Sequence, residues 1–230
     1  MRSAATAVLL SLAFLLAGAA PPPVVETAAG IPLDAPWKVT IFQLAHDKFI
    51  HPAWGWQHSV RNYRLGLALA AGDGLAIDRD VLFAAAFLHD MAAFPPYAKK
   101  GIEHGDRAAQ TSGAVLRAAG FPPAKLAAVQ AAERGHMYYR DPGARPEAIV
   151  LHDADSLDFL GDIGAARMLA LTGEKAPSFG PAVKALRSFV RDIPPRLRTR
   201  TARRMGAVRA AELERFLDSL EVETFGGAAR

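Results

Sequence analysis

The sequence predicts an all-α fold, and three observations carry that expectation. Apolar residues recur at three- and four-residue spacing in nearly every segment after residue 36. Turn formers separate these segments, as Gly72-Asp-Gly, Phe121-Pro-Pro, Asp141-Pro-Gly, Gly173 and Pro194-Pro195. No alternating polar and apolar run bounded by turn signals reads as a strand pair.

The first element is an address. Met1 to Ser3 carry one charge, Arg2, and Ala4 to Leu16 form an apolar, leucine-rich run that ends near the small residues Ala17-Gly18-Ala19. This predicts a signal peptide over 1–19, cleaved near Ala19–Ala20, and a protein that is secreted or periplasmic. The run falls short of the roughly 20 residues a bilayer span needs, so no stable transmembrane anchor is expected. Residues 20–36 are rich in proline and read as a linker, with the domain over 37–225. Helices are then expected over Trp37–Ile50, His58–Ala71, Asp80–Met91, His104–Ala119, Pro123–Arg134, Pro146–Leu160, Ile163–Leu171, Pro181–Val190 and Thr199–Leu220.

Composition narrows the chemistry. At 230 residues and 51% apolar content, the chain is long enough for one well-buried domain and is not mainly disordered. Zero cysteines exclude disulfides, Cys-ligated zinc, iron–sulfur clusters and thiol nucleophiles. The formal charge of +4 is too mild to argue for nucleic acid, and no nucleic-acid motif is present.

Seven histidines and three His-Asp dipeptides remain to be explained. His89-Asp90 ends the run Val81-Leu-Phe-Ala-Ala-Ala-Phe-Leu88, which reads as a buried helix. An imidazole and a carboxylate there cost desolvation unless something pairs with them, and a divalent cation accepts both nitrogen and oxygen donors. His58 opens another half-buried helix. Asp155 and Asp158 lie three apart and share one helical face, whereas Asp153 points elsewhere. Arg61 lies three residues after His58 on the same face, placed either for a phosphate contact or for an ion pair with Asp158. His46 and His51 read as loop or supporting residues, His152 as orienting a ligand or packing, and Trp54 and Trp56 as core or rim. Lys99 and Lys100 read as a solvated loop. Arg196, Arg200 and Arg204 would form one basic stripe if the last helix began early.

At these residues the chain resembles the HD-domain metal-dependent phosphohydrolases. Their signature of a histidine, a later His-Asp pair and a distant aspartate is similar to His58, His89-Asp90 and Asp155. The stretch Ala71-Gly-Asp-Gly-Leu-Ala-Ile-Asp78, leading into Ala84-Ala-Ala-Phe-Leu-His-Asp90, resembles the family's approach to its metal helix. Glu103-His104-Gly and Arg134-Gly-His136 resemble the extra histidines of members that hold two metals. Asp153-Ala-Asp155-Ser-Leu-Asp158, followed by Gly161 and Ile163-Gly-Ala-Ala-Arg167, resembles the closing helix of the small bacterial members. The likeness runs over about residues 38 to 223. Met91-Ala92-Ala93 departs from it, since relatives often carry a lysine or an acid there.

The resemblance implies a single helical HD-domain bundle with one or two divalent ions (Mn, Fe, Mg or Zn). His58, His89, Asp90 and Asp155 would hold one ion, and Asp90 would bridge to a second held by His104 and His136. A metal-activated water would then cleave a phosphoester or phosphoanhydride of a small, nucleotide-like phosphorylated substrate. Asp90 and Arg61 are the expected catalytic residues. Two alternatives use the same residues: an HD-type diiron oxygenase, which would activate O₂, and a non-catalytic HD module for binding or regulation.

Overall fold

The computed structural model describes residues 25–26, 30–172 and 178–227. The expected signal peptide and the turn at Gly173 lie outside the described residues. A two-residue antiparallel pair, β1 (Val25–Glu26) with β2 (Pro32–Leu33), sets Val25 opposite Leu33. It lies in the stretch read as a linker, and two residues per strand are too few to show any alternation. Ile31 and Leu33 are buried, so packing begins before the first helix.

All else regular among the described residues is helical. The long helices are α1 (Pro36–Lys48), α2 (Trp56–Asp73), α3 (Arg79–Leu88), α4 (His104–Ala119), α5 (Leu126–Gly135) and α6 (Pro146–Leu157). They are followed by α7 (Gly161–Ala170), α8 (Gly180–Asp192) and α9 (Arg200–Glu223). Short 3₁₀ turns occupy Met91–Ala93, Pro123–Lys125 and Pro194–Arg196.

The buried centre is α3, in which every residue from Val81 to Leu88 is removed from water, as its unbroken apolar run requires. Asp78 caps it by accepting from the backbone N–H groups of Asp80 (2.9 Å) and Val81 (3.3 Å). Phe83 stacks on Phe87 and meets the edge of Trp37 from α1, which also meets Phe121. α2, α5 and α6 pack around α3, α4 lies along α5, and α7, α8 and α9 form a second layer that touches α2 and α6.

α6 owes its place to its unusual run of buried acids. Asp153 accepts from the backbone N–H groups of Arg198 (2.9 Å) and Thr199 (2.7 Å), tying the approach of α9 to the core. α9 itself begins only at Arg200, capped by the Thr199 hydroxyl, while Arg196 sits in the preceding 3₁₀ turn. The stripe of Arg196, Arg200 and Arg204 is therefore not formed: the backbone is extended at Leu197 and Thr199, which separates Arg196 from the helix. Among the described residues, no helix is long and apolar enough to cross a membrane.

Candidate metal centre

Five helices deliver side chains to one point. α2 presents His58 in its first turn, α3 stops so that His89 and Asp90 lie at its C-terminal end, and α4 begins at His104. α5 ends just before His136, and α6 carries Asp155. The expected helix over Asp80–Met91 thus ends earlier, at Leu88, and the ring of His89 turns to place Nδ1 3.0 Å from the Ala86 carbonyl.

Each of the four imidazoles is fixed in the same sense, by a partner at Nδ1. His58 Nδ1 lies 2.6 Å from Asp158 Oδ2, His89 Nδ1 faces Ala86 O, His104 Nδ1 lies 2.6 Å from Glu103 Oε1, and His136 Nδ1 lies 2.6 Å from Glu133 O. Every Nε2 therefore points to the common centre, the arrangement in which metal-ligating histidines are held by a partner on the opposite nitrogen.

The centre divides into two groups about Asp90. Asp90 Oδ2 lies 3.5 Å from His58 Nε2 and 3.4 Å from His89 Nε2. The two imidazole nitrogens are 3.3 Å apart, and Asp155 Oδ1 lies 3.0 Å from His58 Nε2. Asp90 Oδ1 faces the other way, 3.3 Å from His104 Nε2 and 3.8 Å from His136 Nε2, themselves 3.1 Å apart. Donors about 2.1 Å from one ion stand about 3.0–3.4 Å from each other, so these separations suit a divalent cation. His58, His89 and Asp155 form one group able to hold an ion, and His89, Asp90 and His136 a second. Two buried polar atoms beside the centre, Asp155 Oδ2 and Asn62 Oδ1, have no hydrogen-bond partner, as unfilled donor positions would.

The electrostatics agree. Burial opposes a charge on His89, yet the carboxylates of Asp90 and Asp155 lift its pKa to about 9. Burial, reinforced by the His89 charge, drives His136 down to about 4. Asp90 and Asp155 stay below the usual carboxylate range, despite burial, because imidazoles surround them. The carboxylates thus draw a positive charge into the cage even when only a proton can supply it.

Asp155 and Asp158 do share a face, and they grip opposite nitrogens of the same ring, His58. Asp153 points away, to the start of α9. Of the two readings of Arg61, the structure shows the ion pair: its guanidinium forks onto Asp158 at 2.8 and 2.9 Å. His46 lies against Asp47 at 2.9 Å on the surface, and the His51 ring stacks on Trp54. Lys99 and Lys100 are exposed. His152 pairs with Asp153 at 3.0 Å on the side away from the centre, so it packs and orients no ligand there.

A cavity of about 350 Å³ opens onto Asp90, His104 and Asp155, walled by Trp54, Met137, Phe159 and Arg167. Two residues were given no role from the sequence: Arg167 on the cavity wall and Asn62 against His58 and Asp155. Arg167 is almost wholly buried, bonds Ala53 O (2.5 Å) and Asp158 O (2.8 Å), and lies over the Phe159 ring. Asn62 places Nδ2 3.1 Å from His58 Nε2 and 3.4 Å from Asp155 Oδ1. A polar residue one turn beyond His58 on an apolar helix face was the available signal for Asn62. Arg167, an arginine amid Ile163, Ala165, Ala166 and Met168, offered the same kind of signal.

Comparison with known proteins comes from sequence and from shape. Residues 55–160 match the family described as HD domain, and the match spans α2 through α6. The fold is similar to a predicted HD-superfamily hydrolase from an uncultured Thermotogales bacterium, at 24% identity and a TM-score of 0.57, covering 81% of this chain and 90% of that one. It is similar to an HD-superfamily hydrolase from Bacillus thuringiensis, at 20% identity and a TM-score of 0.58, covering 81% and 94%. It is also similar to Bacillus subtilis YpgQ in complex with ADP, at 20% identity and a TM-score of 0.60, covering 81% and 97%. No curated protein matches the chain.

Proposed function

Taking as premise that the chain is an HD-domain protein with the fold of HD-superfamily hydrolases, we propose that it is a metal-dependent phosphohydrolase. The observation that carries this reading is the fourfold orientation of imidazoles, each anchored at Nδ1 and presenting Nε2 to the two oxygens of Asp90. His58, His89, Asp155 and Asp90 would hold one divalent ion, and Asp90, His104 and His136 a second. An ion so held supplies Lewis acidity, which brings the pKa of water toward neutrality and offsets charge on phosphoryl oxygens.

The chain's own residues shape the rest. Arg167 gives the cavity a fixed positive charge beside the acidic centre, locked in place by Ala53 and Asp158. Trp54, Phe159, Met137 and Leu171 form an apolar wall that keeps water from the phosphoryl group and offers a surface to a flat base. A nucleotide-like substrate fits this division, and the similar YpgQ has been crystallised with ADP. Arg61 positions Asp158, and through it His58. The apolar N-terminal run supports work outside the cytoplasm.

The test strips the protein of metal, reloads it with Mn²⁺, and assays phosphate or pyrophosphate release from nucleotides, sugar phosphates and phosphodiesters. Release that requires both Mn²⁺ and Asp90, lost in Asp90→Ala, is expected. Metal retained with no release from any substrate would overturn the reading.

A further inference from the structure

A second cavity, of about 400 Å³, lies on the other side of α6 and shares no lining residue with the first. Arg140, Arg196, Arg198 and Arg203 surround it, with Tyr138 on its wall and His152 among its lining residues. Among the described residues that line it, Asp141 is the only acid, 3.4 Å from Arg198. Arg140 is paired with Asp106, but Arg196 and Arg203 make no ion pair among the described residues. Arg203 Nε holds the Leu197 carbonyl, and the Arg196 guanidinium lies over the Tyr138 ring at 5.7 Å, leaving N–H groups of both unspent. Asp192, which senses the charge of Arg196, is already bound by Arg191.

His152 makes this more than a basic surface. The residue is 1% exposed, its Nδ1 is held by Asp153, and its Nε2 has no hydrogen-bond partner. A buried ring nitrogen left unpaired costs free energy that a ligand can recover. With Nδ1 facing a carboxylate, Nε2 is left to pair with a ligand: as an N–H it donates to a phosphoryl oxygen, and as a lone pair it accepts only from a P–O–H group. The walls are preformed: Asp153 holds the loop of residues 197–199 by two backbone N–H groups, and Pro194-Pro195 stiffen its approach. Several guanidiniums around one cavity match a multiply charged anion through paired N–H groups.

We propose that this cavity is a second binding site, separate from the metal centre, for a phosphoryl-bearing anion of the size of pyrophosphate or a nucleotide's phosphate tail.

Methylenediphosphonate, a pyrophosphate analogue that resists hydrolysis, is the probe, and calorimetric titration of the full chain is the measurement. Asp90→Ala with metal removed silences the metal centre, so a failure there is read separately from a failure here. Binding is expected to persist in Asp90→Ala and to weaken at least about tenfold when Arg196→Ala and Arg203→Ala are added, or His152→Leu alone. Arg200→Ala with Arg204→Ala, just outside the cavity, should leave it unchanged. A parallel arm measures co-sedimentation with phosphatidylglycerol vesicles against phosphatidylcholine vesicles. Capture that needs Arg196 and Arg203 but not Arg200 and Arg204, without binding of the diphosphonate, would assign the phosphoryl group to a lipid headgroup. No binding in either arm, or equal losses in both arginine pairs, would overturn the site.

Discussion

Gly105 offers the sharpest test of how the metal centre is built. It follows His104 in the first turn of α4, where that helix meets the end of α5. A Cβ at this position would lie 2.7 Å from the Glu133 carbonyl oxygen and 3.0 Å from Cε1 of His136, where ordinary contact starts near 3.4 Å. The first of these is backbone, so Gly105→Ala must push the two helices apart by roughly half an ångström or more. His104 and His136 sit on the two sides of that contact with Nε2 atoms 3.1 Å apart. Ion sites tolerate donor errors of only about 0.2 Å, so the second position should lose at least about tenfold in affinity while His58, His89 and Asp155 keep theirs. Overpacking should also cost about 1–3 kcal/mol. Gly113→Ala is the control: it lies on the same helix facing α5, but its nearest neighbour, 3.1 Å away, is the end of the Gln130 side chain, which can move. That change should leave ion binding intact and gain up to about 1 kcal/mol in helix propensity. Ions per chain after dialysis against Mn²⁺, with urea unfolding alongside, measure both effects. Two ions bound by Gly105→Ala with unaltered affinity would refute the reasoning.

Three further outcomes follow from the same side chains. Asp158→Ala removes the shared partner of His58, Arg61 and Arg167; because Arg167 is buried and cannot turn to water, urea unfolding should show a loss of about 3–5 kcal/mol, and a loss below about 1 would contradict the network. Glu133 is buried on Ser112, and burial raises its pKa from the usual 4.5 to about 8. Its contribution in metal-free protein is full below about pH 4.5 and is lost as pH rises through about 8, by up to about 5 kcal/mol, so Glu133→Gln should flatten stability between pH 5 and pH 9 (about 4 units), and parallel wild-type and variant curves would exclude this origin. His89, protonated up to about pH 9 without metal, must release its proton to bind an ion. Mn²⁺ affinity should therefore rise by up to about tenfold per pH unit below that value, and a flat profile by calorimetry would show that His89 stays outside the centre.

The helices were legible because they depend on local spacing, whereas the ligand set of the centre was legible only through the resemblance to the HD family. The buried run before His89 and the three-residue step from Asp155 to Asp158 fix which side chains share a face, and the structure joins those faces at His58. What was not legible depends on contacts across the chain. Arg61 satisfied two readings equally until Asp158 was seen beneath it. Arg167 carries no local sign of its partner at Ala53, 114 residues away in sequence. Asn62 differs from its apolar neighbours only in polarity, and its meaning comes from three side chains on other turns and helices. The arginines near residue 200 looked like a helical stripe because spacing alone cannot tell where a helix starts after two prolines.

One feature of α6 bears on what the protein can tolerate as it diverges. Within seven residues this helix sends His152 and Asp153 toward the rear cavity and the start of α9, and Asp155 and Asp158 toward the front. An insertion or deletion of one residue there would rotate the following side chains by about 100° and dismantle both sides together. The segment from His136 to Asp141 also serves both sides, with His136 and Met137 in front and Tyr138 to Asp141 behind, and the remaining lining residues come from different segments. A change of length between His152 and Asp158 should thus cost more than most substitutions there, and a scan of single-residue insertions should find its deepest intolerance in this stretch.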